Sequence, residues 1–160
     1  MEKYSLKHLA CGLPVVLVPM ASVSSLTALV LVNTGSRYEQ KEKEGIAHFF
    51  KGTENFPSPL DLSSTIDAIG AEFNAFTSKE YTGYYVKSAS RHLSTSLNVL
   101  SDMLLLPNLK QSDIERERGV IIEEINMYYD NPMSQVAMIF DQLFFADRGL
   151  EHDIIGTKET

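Results

Sequence analysis

The chain has 160 residues, a hydrophobic fraction of 44% and a formal net charge of −7. These values suit one globular domain with a sizeable core and argue against a surface built for nucleic acid or anionic membrane. The lone cysteine, Cys11, excludes an intrachain disulfide and a cysteine-based zinc knuckle.

The start, Met1 to Tyr4, has neither an apolar signal region nor an Arg-rich transit pattern. No apolar run approaches the roughly 20 residues of a membrane span, so a reducing cytoplasm is the expected compartment. Tyr4–Leu9 and Leu13–Pro19 read as short strands about a turn at Cys11-Gly12. Leu26–Val32 (LTALVLV) is a third strand, and its nearly unbroken apolar run suits a strand covered on both faces. Asn33 to Ser36 is turn chemistry. The charged run Glu39–Glu44 then leads into a helix, its glutamates suiting the positive N-terminal end.

Ser58-Pro59 predicts a helix start, with the helix running to about Ile69 and stopping at Gly70. Ala71–Phe76 and Tyr81–Ser88 are rich in aromatic and β-branched residues and break at Ser78-Lys79, which predicts a hairpin. Ser90 is placed to cap a helix with apolar residues at Leu93, Leu97, Leu100 and Leu104, ended by Pro107. Ser112 and Glu115 fit a capping box. The helix they open has Ile114, Val120, Ile121 and Ile125 as its apolar stripe, and Glu117 and Glu124, two turns apart, share a face. Asn131-Pro132 closes that helix and opens another bearing Val136, Ile139, Phe140, Leu143 and Phe144, after which the chain trails off at DIIGTKET. This order predicts an α+β fold in one unit, residues 1–160.

Four stretches hold the residues that could carry chemistry: GSRYE at Gly35–Glu39, GIAHFFKGT at Gly45–Thr53, NAFT at Asn74–Thr77 and ERERGVIIEEI at Glu115–Ile125. Taken singly, His48 reads as a helix-face histidine, Glu117 and Glu124 as solvated helix charges, and Asn74 as a strand-end turn residue. His8, His92 and His152 stand in no metal-ligand spacing to His48. Glu54, six residues after His48, is on the wrong side of a helix to act beside it.

Together the four stretches resemble the insulinase, pitrilysin and mitochondrial-processing-peptidase family of zinc metallopeptidases, over roughly Tyr4 to Thr160. The family's motif runs G-x-A-H-F-L-E-H-M-L-F-K-G-T and contains the inverted zinc signature H-x-x-E-H. Here Gly45–Phe49 match its left part and Phe50–Thr53 its right part, while L-E-H-M-L is absent between them. The resemblance implies a processing-peptidase-like metallohydrolase domain, with a mostly antiparallel sheet packed by helices, incomplete at its C-terminal end. It implies zinc as cofactor, His48 and Glu124 at inherited metal positions, Glu117 supporting the site from behind, and substrate peptide adding as a strand along Asn74, Ala75, Phe76 and Thr77.

The missing residues would be the general base and the second zinc histidine, so zinc-dependent endopeptidase chemistry is expected of the family and inactivity of this chain. Losing five residues removes about 7.5 Å of helix and rotates the residues beyond the gap by roughly 140°, so either a short, distorted helix or a helix that ends near Lys51 is expected. The alternative is a non-catalytic module that binds extended peptide or pairs with a sister subunit as a homo- or heterodimer, without nucleic acid or membrane.

Overall fold

The computed structural model describes residues 4–43, 45, 59–107, 110–146 and 148–160. His48, the rest of the motif segment after Gly45, and the cap at Ser58 lie outside the described residues.

The chain opens with a small antiparallel hairpin, β1 (Ser5–His8) on β2 (Pro14–Leu17), with Ser5 opposite Leu17. A second, three-stranded antiparallel sheet is built in the order β3 (Ser25–Val32), β5 (Thr82–Ala89), β4 (Glu72–Thr77). Val30, Tyr84 and Ala75 are aligned across it, as are Leu29, Tyr85 and Asn74. Because successive side chains alternate, these two rows point to opposite faces.

One face is the core. Ala28, Val30, Phe73, Tyr84 and Val86 pack with Leu62 and Ile66 of α1 (Pro59–Ala68) and with Val99, Leu100 and Met103 of α2 (Leu93–Leu105). The other face leaves Leu29 and Leu31 exposed. The expectation that β3 is covered on both faces is therefore not met among the described residues: its burial alternates residue by residue. An apolar run shows only that a strand can be buried, and the partners on each side decide whether it is.

The predicted helix stop at Gly70 is realised as a paired C-terminal cap. Gly70, at φ 60°, donates to the Asp67 carbonyl, and Ala71 donates to that of Ile66. This left-handed exit satisfies carbonyls the helix leaves open and sends Ala71 back against the core as β4 begins.

The stripe expected on α2 is rotated. Its buried residues are Ser96, Val99, Leu100 and Met103, whereas Leu93 and Leu97 are about half exposed. Ser96 can turn inward because its hydroxyl is satisfied there, 2.9 Å from Ser88 Oγ and donating to the His92 carbonyl at 3.0 Å. Ser90 does not cap this helix through its side chain; it lies in a single 3-10 turn, Ser90–His92, that precedes it.

Two further helices follow, α3 (Gln111–Tyr129) and α4 (Pro132–Phe144). The capping box expected at Ser112 and Glu115 does not form: Lys110 is the cap residue, without a side-chain bond, and Glu115 instead accepts from Gln111 Nε2 at 2.8 Å. Ile125 is buried, Ile114 and Ile121 are half-buried, and Val120 is exposed, so Val120 leaves the expected stripe. At the next junction Asn131 Oδ1 accepts from the amides of Met133 and Ser134, with Pro132 in the first turn of α4. This is the expected helix start. On α4, Val136, Ile139, Phe140, Leu143 and Phe144 are all exposed. The C-terminal stretch does not trail off: residues 151–155 are half-buried and Gly156 is buried.

The rotated α2 face is testable by urea unfolding. Met103→Ala should cost about 2–5 kcal/mol, as buried methionine truncations do. Leu97→Ala should cost well under half of that; equal losses would place the buried stripe where the leucine spacing alone puts it.

Candidate functional site

Strand β4 is an edge: among the described residues it pairs with β5 alone. Which of its backbone groups face outward is set by the pairing phase. Ser78 donates to the Tyr81 carbonyl just beyond the hairpin, and Ser90 donates to that of Ser24 at the opposite end of β5. In an antiparallel ladder, bonded and non-bonded pairs alternate. Glu72, Asn74 and Phe76 therefore spend their backbone groups on β5, while Phe73 and Ala75 turn theirs to the open edge. Consistent with this, the Ala75 amide donates to Asn74 Oδ1 at 2.8 Å. The four residues Asn74, Ala75, Phe76 and Thr77 thus lie on one strand with an accessible edge.

The outer face beside this edge presents Glu72, Asn74 and Phe76. The Tyr85 hydroxyl donates to Glu72 Oε1 at 2.9 Å. That bond to a carboxylate raises the Tyr85 pKa above 10.0, because the neutral phenol is the donor. The Phe76 ring lies over Gly83, where any Cβ would collide with it, and meets the Tyr81 ring edge-on at 6.2 Å. Gly83 thus provides the floor on which the aromatic ring rests.

On α3, Glu117 and Glu124 are both half-buried and both engaged by neighbours. They lie on the side of the helix that also carries half-buried Ile121 and buried Ile125. The shared face expected of them is present, although their distance from His48 lies outside the described residues. Among the described residues no three of His, Cys, Asp or Glu are grouped so as to hold a metal ion. Of the two positions that the family resemblance gives to the metal, Glu124 lies among the described residues and His48 does not; a catalytic zinc takes three protein ligands and a water.

A junction next to the start of the motif segment was not legible as such in the sequence. The loop at Gly35–Glu39, the hairpin tip at Ser78–Glu80 and the C-terminal segment meet there. Arg37 donates to the Lys79 carbonyl and Ser36 to that of Ser78 through their amides. Arg37 Nη1 pairs with Glu80, Ser36 Oγ donates to the His152 carbonyl at 3.1 Å, and Lys79 Nζ reaches the same carbonyl at 2.9 Å and Asp141 at 3.2 Å. Glu39, read from the sequence as part of a charged run leading into a helix, accepts the Gly45 amide at 2.7 Å. Glycines make the closeness possible. A Cβ on Gly149 would stand 2.6 Å from the Arg37 carbonyl oxygen, and one on Gly45 2.6 Å from that of Ile155. Beside this junction, amides of its own turn hold the Glu151 carboxyl below its ordinary 4.5, chiefly its own N–H and then that of Arg148.

An α+β domain whose antiparallel sheet ends, among the described residues, in the open strand β4 is what this fold defines. Comparison with known proteins gives its family: the chain matches Insulinase (Peptidase family M16) over residues 15–158 and belongs to that family. It is similar to a Bacillus subtilis protein named as an uncharacterized zinc protease, YmxG, with 37% identity over 162 aligned positions, 97% of this chain and 39% of that protein. The mouse mitochondrial-processing peptidase subunit beta is 36% identical over 144 positions, 87% of this chain and 29% of the relative. A protease from Helicobacter pylori superposes with a TM-score of 0.86 at 29% identity, covering 98% of this chain and 39% of that one. An M16-like peptidase from Alicyclobacillus acidocaldarius, at TM-score 0.82 and 24% identity, shares the fold. The chain spans about two fifths or less of the length of these relatives. A Rickettsia felis relative aligns over 164 positions; against 160 residues here, at least four of its positions have no counterpart in this chain.

Two outcomes test the junction. Gly149→Ala should destabilise the chain by more than about 1 kcal/mol, since a positive φ of 77° and a backbone clash coincide. Gly119→Ala, in helix α3 with open space around it, should stabilise by about 0.5–1 kcal/mol. Thermal melts of both variants check the contrast. The lowered Glu151 pKa stabilises the fold above the unfolded value of 4.5, and that contribution is lost as pH falls through the folded value. Glu151→Gln should therefore lower the Tm near neutral pH and leave it matched to the parent at about pH 2.

Proposed function

We propose that this chain is a zinc-protease-type module that holds an extended peptide along the open edge of β4 and, with its sequence as it stands, does not cleave it. The observation that carries the reading is the outward-facing backbone of Phe73 and Ala75 on a strand paired, among the described residues, on one side. An edge of this kind supplies a ready ladder for a peptide strand. Peptide binding would replace the bond from the Ala75 amide to Asn74 Oδ1 with one to a peptide carbonyl.

Relatives named zinc proteases support the hydrolytic ancestry, with zinc as the ancestral cofactor. His48 and Glu124 stand at the ancestral metal positions and Glu117 behind them. The chain has no residues between Phe49 and Phe50 to serve as general base and second histidine, and without a base the attacking water cannot be deprotonated in place. In this reading residues 1–160 form one unit of a protein whose relatives are longer. No helix among the described residues is long and apolar enough to cross a membrane, and the exposed, unpaired Cys11 suits a reducing cytoplasm.

A second reading, a subunit that pairs with a sister peptidase chain, is favoured by α4. That helix exposes Met133, Val136, Ile139, Phe140, Leu143 and Phe144, more apolar surface than one isolated helix ordinarily shows to water.

The test combines metal analysis with peptide binding. After dialysis against a weak chelator, zinc near zero per folded chain is expected, together with saturable binding of extended peptides and no cleavage products. Ala75→Pro removes the one outward amide at the middle of the edge and should abolish that binding. Stoichiometric zinc or cleavage would overturn the inactive reading, and binding unaffected by Ala75→Pro would overturn the edge.

A further inference from the structure

The phase of the ladder decides more than where a peptide binds. It also decides which side chains of β4 the peptide meets most closely. A strand added to the backbone of Phe73 and Ala75 makes its hydrogen-bonded pairs opposite those two residues. Glu72, Asn74 and Phe76 then fall opposite peptide residues in non-hydrogen-bonded pairs, where Cα atoms approach to about 4.5 Å rather than about 5.5 Å. These three side chains point to the outer face, away from the core. Selectivity therefore concentrates on them.

Phe76 is 41% exposed, and its ring is held over Gly83 and against Tyr81. It leans toward β5, so its outward side forms an apolar shelf for a side chain on the neighbouring strand. At the other end of the same row, Glu72 accepts one bond, at Oε1, from Tyr85. Lys87, directly across from Glu72 on β5, stands two strand spacings from an added peptide, roughly 9.5 Å. A basic peptide residue meets Glu72 first, and Lys87 only at about the screening length of physiological salt. The chain's net charge of −7 favours the same partner.

We propose that the β4 edge selects an extended peptide carrying an apolar residue beside Phe76 and a lysine or arginine four residues further toward the peptide's C-terminus, beside Glu72. The direction comes from antiparallel addition, which continues the all-antiparallel pairing of this sheet. Peptide residues opposite Phe76, Asn74 and Glu72 are then met in N-to-C order. The inference rests on the edge-binding reading of the proposed function.

The experiment is fluorescence anisotropy with the intact chain and a set of short labelled peptides of one composition. The first carries Phe and, four residues later, Lys. A second reverses that order, a third replaces Lys by Glu, and a fourth replaces Phe by Ser. A favourable cross-strand pair contributes a factor of about 1.4–5 in affinity. The first peptide should therefore bind about 1.4- to 5-fold tighter than the third and fourth, which each lose one pair, and about 2- to 25-fold tighter than the second, which loses both. Glu72→Gln should erase the preference for Lys over Glu while leaving the preference for Phe over Ser, and Phe76→Ala should do the converse. Equal affinity for all four peptides, each lost on Ala75→Pro, would overturn the selectivity and leave edge binding standing. Absence of binding by any peptide would overturn edge binding and the selectivity with it. A preference that survives both Glu72→Gln and Phe76→Ala would also overturn the assignment.

Discussion

The architecture hangs on β5. Among the described residues it is the strand paired on both sides, and Val86 at its middle is fully buried beneath the helices. Its partners take their registers from it: β3 along its whole length, and β4 through the tight turn at Ser78–Tyr81. A strand bonded on both edges has no backbone left to offer a ligand. Among the described residues that leaves β3 and β4, each bonded on one side, as the strands through which this sheet can meet another chain, and β4 is the one that carries Asn74 to Thr77.

The same pairing sorts the side chains. Inward residues of the three strands join α1 and α2 in a compact cluster, and burial of that apolar surface is the main stabilising term. Outward residues remain exposed, from Leu31 on β3 to Phe76 on β4. The row formed by Leu31, Gly83 and Phe76 shows how closely the two faces are tied. A residue without a side chain on β5 lets the aromatic ring of β4 lie across the strand. The chemistry offered at the edge is thus a by-product of how the core was built.

The junction of the Gly35 loop, the hairpin tip and the C-terminal segment couples distant parts of the chain to the start of the motif segment. Residues more than a hundred positions apart, such as Ser36 and His152, bond directly. Backbones approach there so closely that only glycine fits at Gly35, Gly45 and Gly149. The segment that begins at Gly45 therefore starts from a point fixed between Glu39 and Ile155.

Strand and helix positions were legible from the sequence wherever local chemistry dominates. The Cys11-Gly12 turn, the hairpin broken at Ser78-Lys79, the stop at Gly70 and the Asn131-Pro132 start each rest on dihedral preference or a side-chain cap within a few residues. The motif blocks at Gly35, Gly45, Asn74 and Glu115 were equally legible, and with them the family and the residues absent after Phe49. What the sequence could not decide was every question that needs a second segment. Which side of α2 is buried depended on Ser96 finding Ser88, not on the spacing of leucines. Whether β3 is covered on one face or two, and which β4 amides face outward, depended on strand pairing and its phase. Glu39 and the C-terminal segment acquired their roles only when the fold brought Gly45 and Arg37 against them. Local preference acts over a few bonds and can be read along the chain; burial and pairing are relations between residues far apart in sequence, and only the tertiary structure sets them.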